Sequence, residues 1–524
     1  MVPNPRSLTR EPAFMRCPLL TAALALTLAT LGNFLRVPQA QAQTQAQSAP
    51  GPSLRAGAAV ADISPTHSPV IVNAMFTERS ATQTVDRLHA RALVIQSGPE
   101  TVAIAVVDTC MMPRDLIDRA KEIAHRRTGI PVDRILISAT HTHSAPAAMG
   151  CLGSREDPRY AAFLPGPIAE AIVHAHRQLA PAEVAWASTN AWHHTFNRRW
   201  IRRPDRLLND PFGQPTVRAH MHPGHVSPDA VGPSGPVDPG LSVVAFRSLD
   251  GHPIALLANF SQHYYGSPLL SSDYYGRFAQ HLSQALAPSD AAVNPTNTPA
   301  FVPIMSQGTS GDLMWMDYGA PAREIGYDAY AREIADLVAQ SYRTLHFRRE
   351  APLRMAESRL KLDYRTPGPD RLAWARTMAA TLAGQLPQTL PQIYALEALH
   401  LHQRQSTELV LQALRLGDVG IAALPNEVFA LTGLKLKAQS PLPLTFNIEL
   451  ANGAEGYIPP PEQHHLGGYT TWPARTAGLE TQAEPRIVET LLGLLERVAE
   501  RPRQNPPQAH GPYAQAVLHS QPDA

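Results

Sequence analysis

One recurring arrangement constrains the fold of this 524-residue chain most strongly: a short apolar, β-like stretch that runs directly into a polar or glycine-containing loop. Segments with a helical pattern separate several of these stretches. This order predicts a layered, mixed α/β (α+β) fold with a β-sheet core and flanking helices. The residues that stand at or just after the ends of the stretches are Asp108, His141, His263, Asp312, Glu427 and Tyr457. If the strands share a sheet, these residues line one cleft, because sites in α/β sheets lie beyond the carboxyl ends of strands.

The most informative loop follows a predicted buried strand at residues 134–139 and contains His141 and His143. Side chains alternate between the two faces of an extended chain, so residues two apart point the same way. Two imidazoles that face one space indicate a metal ion, an acid–base pair or both. Because H-x-H also occurs in ordinary loops, the motif alone leaves a purely structural interpretation open.

Other patterns predict the surrounding elements. We expect a helix at residues 116–127, and hairpins at 241–260 and 408–424 that turn at Asp250–Gly251 and Gly417–Asp418. A helix that opens at Pro425 would place Glu427 in its first turn. The pattern changes near residue 350, which suggests a sub-domain boundary. Residues 192–240 are rich in Pro, Gly, Arg and His, and long segments of this kind are usually functional or disordered.

The composition excludes several classes of protein. The formal net charge is +1, so the charge balance gives no indication of nucleic-acid binding. The 50 prolines argue against a helical bundle or coiled coil. Walker, Rossmann and G-x-S-x-G motifs are not evident, so nucleotide-dependent and serine-hydrolase functions have no support. The sequence makes no prediction of the oligomeric state.

The N-terminus has the pattern of a signal peptide, which we assign to residues 1–43. Arg6, Arg10 and Arg16 precede an apolar run at 19–31, which is too short to span a bilayer, and an A-x-A-type cleavage site follows at 40–42. Met15 is an alternative start. We therefore predict a periplasmic or secreted protein with no transmembrane segment in the mature chain. A disordered linker (44–52), a folded domain (53–500) and a disordered tail (501–524) would follow.

Cys110 and Cys151 are the cysteines that remain after cleavage of the predicted signal peptide. Both follow predicted strand ends. In an oxidising compartment they could form a disulfide, and two buried free thiols are an equally good interpretation.

Several of the loops resemble motifs of the neutral, non-lysosomal ceramidase family. Residues 137–146 are similar to its T-H-T-H-S-x-P signature, and the similarity extends from about Ala58 to the last predicted helix. The other matching segments are 107–112 (D-x-x-M-M), 259–263 (N-x-x-x-H), 271–276 (S-x-D-x-x-G), 424–429 (P-G-E-F) and 452–458 (N-x-Y-x-x-Y). The resemblance implies the catalytic domain of that family, and its C-terminal immunoglobulin-like domain has no counterpart in the sequence.

The resemblance also implies a site and a reaction. It predicts one Zn²⁺ per chain, in a loop-built site at strand C-terminal ends, with His141, His263, Glu427 and Tyr457 as ligands. His143 and Arg198 would line the substrate pocket, with His143 as the catalytic group that moves a proton to the leaving amine. The implied reaction is hydrolysis of a linear amide, in an N-acyl lipid or a related compound, by a metal-activated water.

Without the resemblance, three of these residues have a structural interpretation. His263 stands beside two tyrosines and could be a packed core histidine. Glu427, in the first turn of a predicted helix, would be stabilised by the helix dipole with no catalytic role. Tyr457 could be a packed aromatic residue.

The chain also departs from the family at one position. Met314 stands where the family's G-D-V-S-P-N hexapeptide has its active-site serine. We therefore consider Ser310 as a catalytic substitute and Thr309 as a substrate-binding residue. Asp312 is a catalytic candidate that would orient an imidazole, and Asp108 is a substrate-binding candidate.

Two alternative functions follow from this departure. The chain could be a catalytically silent, metal-containing binding protein. It could also be a zinc hydrolase that acts on esters, lactones or peptides, because specificity resides in the site and not in the fold.

Overall fold

A computed structural model describes residues 54–72, 74–286 and 300–503. The predicted signal peptide, the linker and most of the predicted tail lie outside the described residues. None of the helices in the described ranges is long and apolar enough to cross a membrane.

The secondary structure of the described residues is as follows. The strands are β1 (Leu54–Asp62), β2 (Val70–Val72), β3 (Arg79–Ala81), β4 (His89–Ser97), β5 (Glu100–Val107), β6 (Ile135–Ala139), β7 (Ala180–Asn190), β8 (Phe196–Asn197), β9 (Arg199–Arg202), β10 (Ala219–Met221), β11 (Ala230–Pro233), β12 (Gly240–Ser248), β13 (Pro253–Phe260), β14 (Val302–Gln307), β15 (Leu313–Met314), β16 (Leu353–Asp363), β17 (Ser406–Leu416), β18 (Val419–Ala423), β19 (Glu427–Val428), β20 (Leu444–Ile448) and β21 (Tyr457–Ile458). The helices are α1 (Arg114–Thr128), α2 (Pro158–Phe163), α3 (Pro165–Arg177), α4 (Asp273–Ala285), α5 (Tyr327–Arg343), α6 (Pro369–Ala380), α7 (Leu390–Arg404), α8 (Ala430–Gln439) and α9 (Ala483–Ala499).

Two sheets form the centre of the fold. The larger has eight strands in the order β14-β13-β12-β7-β1-β4-β5-β6, and the smaller has four in the order β16-β17-β18-β20. In the larger sheet, β5 pairs parallel with β6, and β13 pairs parallel with β14. The other neighbours pair antiparallel. Short strands form the small sheets β10-β9-β11, β15-β8, β19-β21 and β2-β3.

The two sheets pack against each other, and helices cover their outer faces. Along β5, Ala103 and Ala105 face the apolar core under α1 and α3, whereas Val102 and Ile104 face the core between the sheets. This alternation follows from the period of two in an extended chain. Helices α4 and α5 cover the β12–β14 side of the larger sheet, and α9 covers the smaller sheet. The layers confirm the predicted mixed α/β fold with flanking helices.

A single apolar core spans the position at which the sequence pattern changes. Leu353 and Met355 of β16 belong to the same buried cluster as Val102 and Ile104 of β5. Residues on both sides of position 350 therefore share one core.

A short segment after β20 joins the two edges of the larger sheet. Glu449 N–H donates to Gln307 O at the end of β14 (3.1 Å), and Ala139 N–H at the end of β6 donates to Leu450 O (3.1 Å). Asn452 N–H donates to Ile137 O on β6 (2.8 Å). Since β6 and β14 are the two edge strands, this bridge brings loops from opposite ends of the strand order together.

Several local expectations need correction. Glu427 does not lie in a helix, because it forms the short strand β19, which pairs parallel with β21 at Tyr457, and α8 begins only at Ala430. Residues 192–240 contain the short strands β8 to β11. Cys110 and Cys151 are buried free thiols, which agrees with the second of the two interpretations that the sequence left open.

Candidate active site

Three predicted site residues from distant parts of the chain converge. His141 follows β6, His263 follows β13, and Glu427 lies on β19. The two Nε2 atoms are 3.0 Å apart. Glu427 Oε2 lies 3.3 Å from His141 Nε2 and 3.8 Å from His263 Nε2. All three side chains are buried, so this is a compact cluster of metal-ligand atoms.

Backbone carbonyls determine which ring nitrogens carry protons. His141 Nδ1 lies 2.8 Å from Cys110 O, and His263 Nδ1 lies 3.1 Å from Ser310 O. A carbonyl oxygen only accepts hydrogen bonds, so each Nδ1 is protonated, and in the neutral imidazole that binds a metal each Nε2 presents a lone pair.

The converging atoms are therefore all acceptors. Glu427 Oε2 adds a buried oxygen with no hydrogen-bond partner in the described part of the chain. A buried polar group without a partner is costly, and a bound cation would satisfy all three acceptors. The donor set therefore fits a divalent metal ion.

The loop that carries His141 leaves the extended conformation. His141 has φ = 68°, in the left-handed region that non-glycine residues rarely occupy. Its N–H donates to Thr109 O (2.9 Å), which holds the loop after β6 against the loop after β5. His141 and His143 still meet, because their Nε2 atoms are 3.1 Å apart, but the extended geometry assumed from the sequence does not persist.

Tyr457 and Arg198 complete one wall of the site. The pairing of β19 with β21 sets Tyr457 directly beside Glu427. Arg198 Nη2 donates to Tyr457 OH (3.1 Å) and to Gly311 O (2.9 Å), and it lies 3.1 Å from His263 Nε2. Burial and the neighbouring Glu427 carboxylate raise the pKa of Tyr457 well above its usual value. A guanidinium can only donate, so its contact agrees with a lone pair on His263 Nε2.

His143 lies beside the cluster in a dry environment. Burial, and then the adjacent His141 and Arg198, hold the pKa of His143 well below its usual value, so the imidazole is neutral. Its ring stacks on Tyr264 with centroids 3.6 Å apart and planes at 17°. Cys110, His141 and His143 form a second group with ligand-type atoms. Burial raises the pKa of the Cys110 thiol well above its usual value, which makes it the poorer ligand.

These residues line a cavity of about 170 Å³ whose wall is mostly apolar. The lining residues are Ala74, Met75, Phe76, Met111, His141, His143, Cys151, Leu152, Arg198, His222, Tyr264, Glu427, Tyr457, Tyr469 and Thr476. The sequence analysis missed Tyr264, Tyr469 and His222. The sequence offered one indication that Tyr264 belongs to the site, namely its position directly after His263.

Two predicted carboxylates lie outside the cavity wall. Asp108 is fully buried, and it accepts hydrogen bonds from Arg91 (2.8 and 2.9 Å) and from His89 N–H (2.9 Å). Asp312 accepts from Asn197 (2.9 Å) and from Ala430 N–H (2.8 Å), and burial raises its pKa to about 6. The imidazoles are thus oriented by backbone carbonyls and not by these carboxylates.

Ser310, Thr309 and Met314 also lie behind the cavity wall. The Ser310 hydroxyl donates to Glu449 Oε1 (2.8 Å), a buried carboxyl that the sequence analysis did not single out. Thr309 packs against Gly433 of α8, and Met314 is buried on β15. Glu449 also accepts from Val428 N–H (2.7 Å), so it fixes the residue after Glu427.

Fold and site together define a mixed α/β protein with a buried candidate metal site that opens into an apolar cavity. No protein-family model matches the chain. Neutral ceramidases A and B of Dictyostelium discoideum are 25% identical over 255 residues and 24% identical over 262 residues. Each match covers 45% of this chain, which spans about a third (32%) of the length of these relatives.

Solved structures share the fold over most of the chain. The crystal structure of neutral ceramidase from Pseudomonas aeruginosa has a TM-score of 0.59 at 16% identity, and a ceramidase structure described as complexed with C2 has 0.60 at 15%. Both alignments cover 88% of this chain and 77% of the other. The chain therefore shares the fold of these ceramidase structures, and 45% of it is similar in sequence to the two neutral ceramidases of Dictyostelium discoideum.

Proposed function

We propose that the chain is a zinc-dependent hydrolase that cleaves the linear amide bond of an N-acyl lipid of the ceramide class. The observation that carries the proposal is the convergence of two imidazole lone pairs and an unpartnered carboxylate oxygen at one apolar cavity. The similarity of sequence and fold to neutral ceramidases supports the amide bond and the lipid class of the substrate.

The donor atoms suit zinc. His141, His263, Glu427 and Tyr457 would hold one ion through two nitrogens and two oxygens, which are ligands that Zn²⁺ accepts in catalytic sites. When bound there, zinc supplies a Lewis acid and activates water as a nucleophile.

Residues of the chain position the site, transfer a proton and exclude water. Arg198 holds Tyr457 and the Gly311 carbonyl through Nη2, and so keeps the β21 loop against His263. His143 is neutral, and its Nδ1 has no hydrogen-bond partner among the described residues, which makes it available to accept a proton and return it to the leaving amine. The apolar wall excludes water and strengthens the polar contacts inside.

Met314 motivates a second candidate, a metal-containing binding protein without catalytic activity. The cavity-lining residues of the described chain include no serine, and Met314 is buried behind the wall. The alternative with a different bond, an ester, lactone or peptide, keeps the same zinc site. Turnover measurements distinguish the amide hydrolase, the binding protein and the hydrolase that acts on another bond.

The test combines metal content with turnover of a short-chain N-acyl sphingoid base, measured as amine release. Wild-type protein should contain one zinc per chain and release the amine. His141→Ala and Glu427→Ala should lose both properties, whereas His252→Ala, in the turn of the β12–β13 hairpin, should keep both. Retained zinc and turnover in the two site variants would refute the proposal, and zinc without turnover of amides or esters would favour the binding protein.

We also propose that the enzyme acts after export, in the periplasm or outside the cell, with residues 53–500 as its catalytic domain. The basic, apolar and A-x-A pattern of residues 1–43 supports export. Amino-terminal sequencing of the mature protein should find it beginning near residue 43. An intact N-terminus on cytoplasmic protein would contradict export.

A further inference from the structure

We propose that Tyr264 is a substrate-binding residue: its hydroxyl hydrogen-bonds a polar group of the substrate, and its ring holds His143 in position. This inference rests on the proposed function, because it concerns the same cavity. It assigns a role to a residue that none of the sequence motifs contains.

The Tyr264 hydroxyl is available to a ligand. Tyr264 lines the cavity, yet its hydroxyl makes no hydrogen bond to any described residue. Two other polar groups of the wall are engaged with protein: Tyr457 OH with Arg198, and His222 Nδ1 with Tyr318 OH (2.6 Å). The Tyr469 ring is packed edge-on against Phe76 and Tyr457.

The ring of Tyr264 controls the placement of His143. The His143 and Tyr264 rings are stacked with their centroids 3.6 Å apart. The His141 ring meets the His143 ring edge-on, with centroids 4.6 Å apart and planes at 82°. His143 therefore has one face covered by Tyr264 and one nitrogen directed at His141. Removal of the phenyl ring would free the imidazole to rotate away from the cluster.

The backbone on both sides of Tyr264 is anchored. His263 Nδ1 donates to Ser310 O (3.1 Å), and Tyr275 OH donates to His263 O (3.3 Å). Tyr265 N–H donates to Asp273 (2.9 Å), and its ring stacks on Trp315 at 4.4 Å. The side chain is thus held in place before a ligand arrives, which lowers the entropic cost of the new hydrogen bond.

An uncharged hydroxyl matches the polar part of an N-acyl amino alcohol. A phenol O–H donates to a carbonyl or hydroxyl oxygen and accepts from an amide or hydroxyl group. Met314 occupies the family's serine position and lies buried on β15, so it supplies no hydroxyl to the cavity. Tyr264 supplies one from another element, the loop after β13.

The test separates hydroxyl from ring. Tyr264→Phe keeps the stacking and loses the hydroxyl, Tyr264→Leu loses both, and Tyr342→Phe on α5 is the matched control outside the cavity. With a short-chain N-acyl sphingoid base, Tyr264→Phe should raise KM about 3- to 10-fold, the range of one net hydrogen bond, with kcat within about 2-fold of wild type. Tyr264→Leu should also lower kcat more than about 10-fold, and Tyr342→Phe should leave both constants unchanged.

Binding of the same probe to the metal-free protein, measured by calorimetry, gives a readout that does not depend on turnover. Tyr264→Phe should raise the Kd by the same factor as KM. A Kd and KM equal to wild type in Tyr264→Phe would overturn the role of the hydroxyl, and equal kcat in the Phe and Leu variants would overturn the role of the ring. If wild type binds the probe but does not hydrolyse it, the proposed function fails and the Kd ratio alone decides on Tyr264. If it does neither, both proposals fail.

Discussion

Replacement of Glu427 by glutamine should change the stability of the metal-free and zinc-loaded proteins in opposite directions. Glu427 Oε2 is a buried acceptor without a partner, 3.3 Å from the lone pair on His141 Nε2. In Glu427→Gln an amide N–H₂ can take this place and donate to Nε2. The side chain keeps its volume, so packing is not a confounding factor.

The magnitude follows from the cost of an unpaired buried group. Satisfying such a group is worth about 1–3 kcal/mol, and more when the group is charged. Metal-free Glu427→Gln should therefore be more stable than metal-free wild type by roughly that amount. With zinc the order should reverse, because the variant has lost an anionic ligand and gains less free energy from binding.

Urea unfolding of both proteins, with a chelator and with saturating zinc, measures the four free energies of unfolding. Glu427→Ala serves as the comparison, because it removes the ligand and leaves a void with no donor to His141. If metal-free Glu427→Gln is less stable than metal-free wild type, or if zinc stabilises both proteins equally, the view of Glu427 Oε2 as an unsatisfied buried metal ligand is wrong.

Three further substitutions test contacts outside the cavity. Burial lowers the pKa of Lys121 to about 8 from 10.5. The unfolded state therefore binds more protons between these two pH values, and the free energy of unfolding of the wild type should rise by up to about 3 kcal/mol from pH 8 to 10.5. Lys121→Met should be more stable than wild type at neutral pH, and its urea unfolding should show no such rise. Asp108→Asn leaves buried Arg91 without its carboxylate and should lower the free energy of unfolding by about 3–5 kcal/mol. The zinc content of the folded variant should be unchanged. Reduced zinc content with unchanged stability would instead indicate that Asp108 belongs to the site. Gly433→Ala should gain about 1 kcal/mol in helix propensity, but its Cβ would lie 1.9 Å from Thr309 Oγ1, so calorimetry should record a net loss of stability.

Much of the strand and helix content could be predicted, because burial imposes a period on the sequence. The β12–β13 hairpin at Asp250–Gly251 and helix α1 are examples. The error at Glu427 is instructive. The apolar pattern after Pro425 does belong to a helix, but the backbone of Glu427 pairs with Tyr457, 30 residues further on, and no local pattern carries a pairing of that separation. Helix α7 was missed although its start has a local signal, the capping box of Thr389 and Gln392.

The candidate site, like the fold, could be predicted from the sequence only in part. His141, His263 and Glu427 were found through strand ends and motifs, and the structure brings them together. What brings them together is the segment at 449–452, which joins opposite edges of the sheet through backbone hydrogen bonds that have no side-chain signature. Tyr264 was missed for a related reason, since a stacked ring is visible only once the two loops have met.

The most direct measurement of the central claim is X-ray anomalous scattering at the zinc absorption edge from crystals of the protein as purified. We predict one strong peak per chain, bonded by His141 Nε2, His263 Nε2, Glu427 and Tyr457 at roughly 2.0–2.2 Å. A zinc peak elsewhere in the chain, or an enzyme that hydrolyses the N-acyl sphingoid base with no metal at these four residues, would contradict the account.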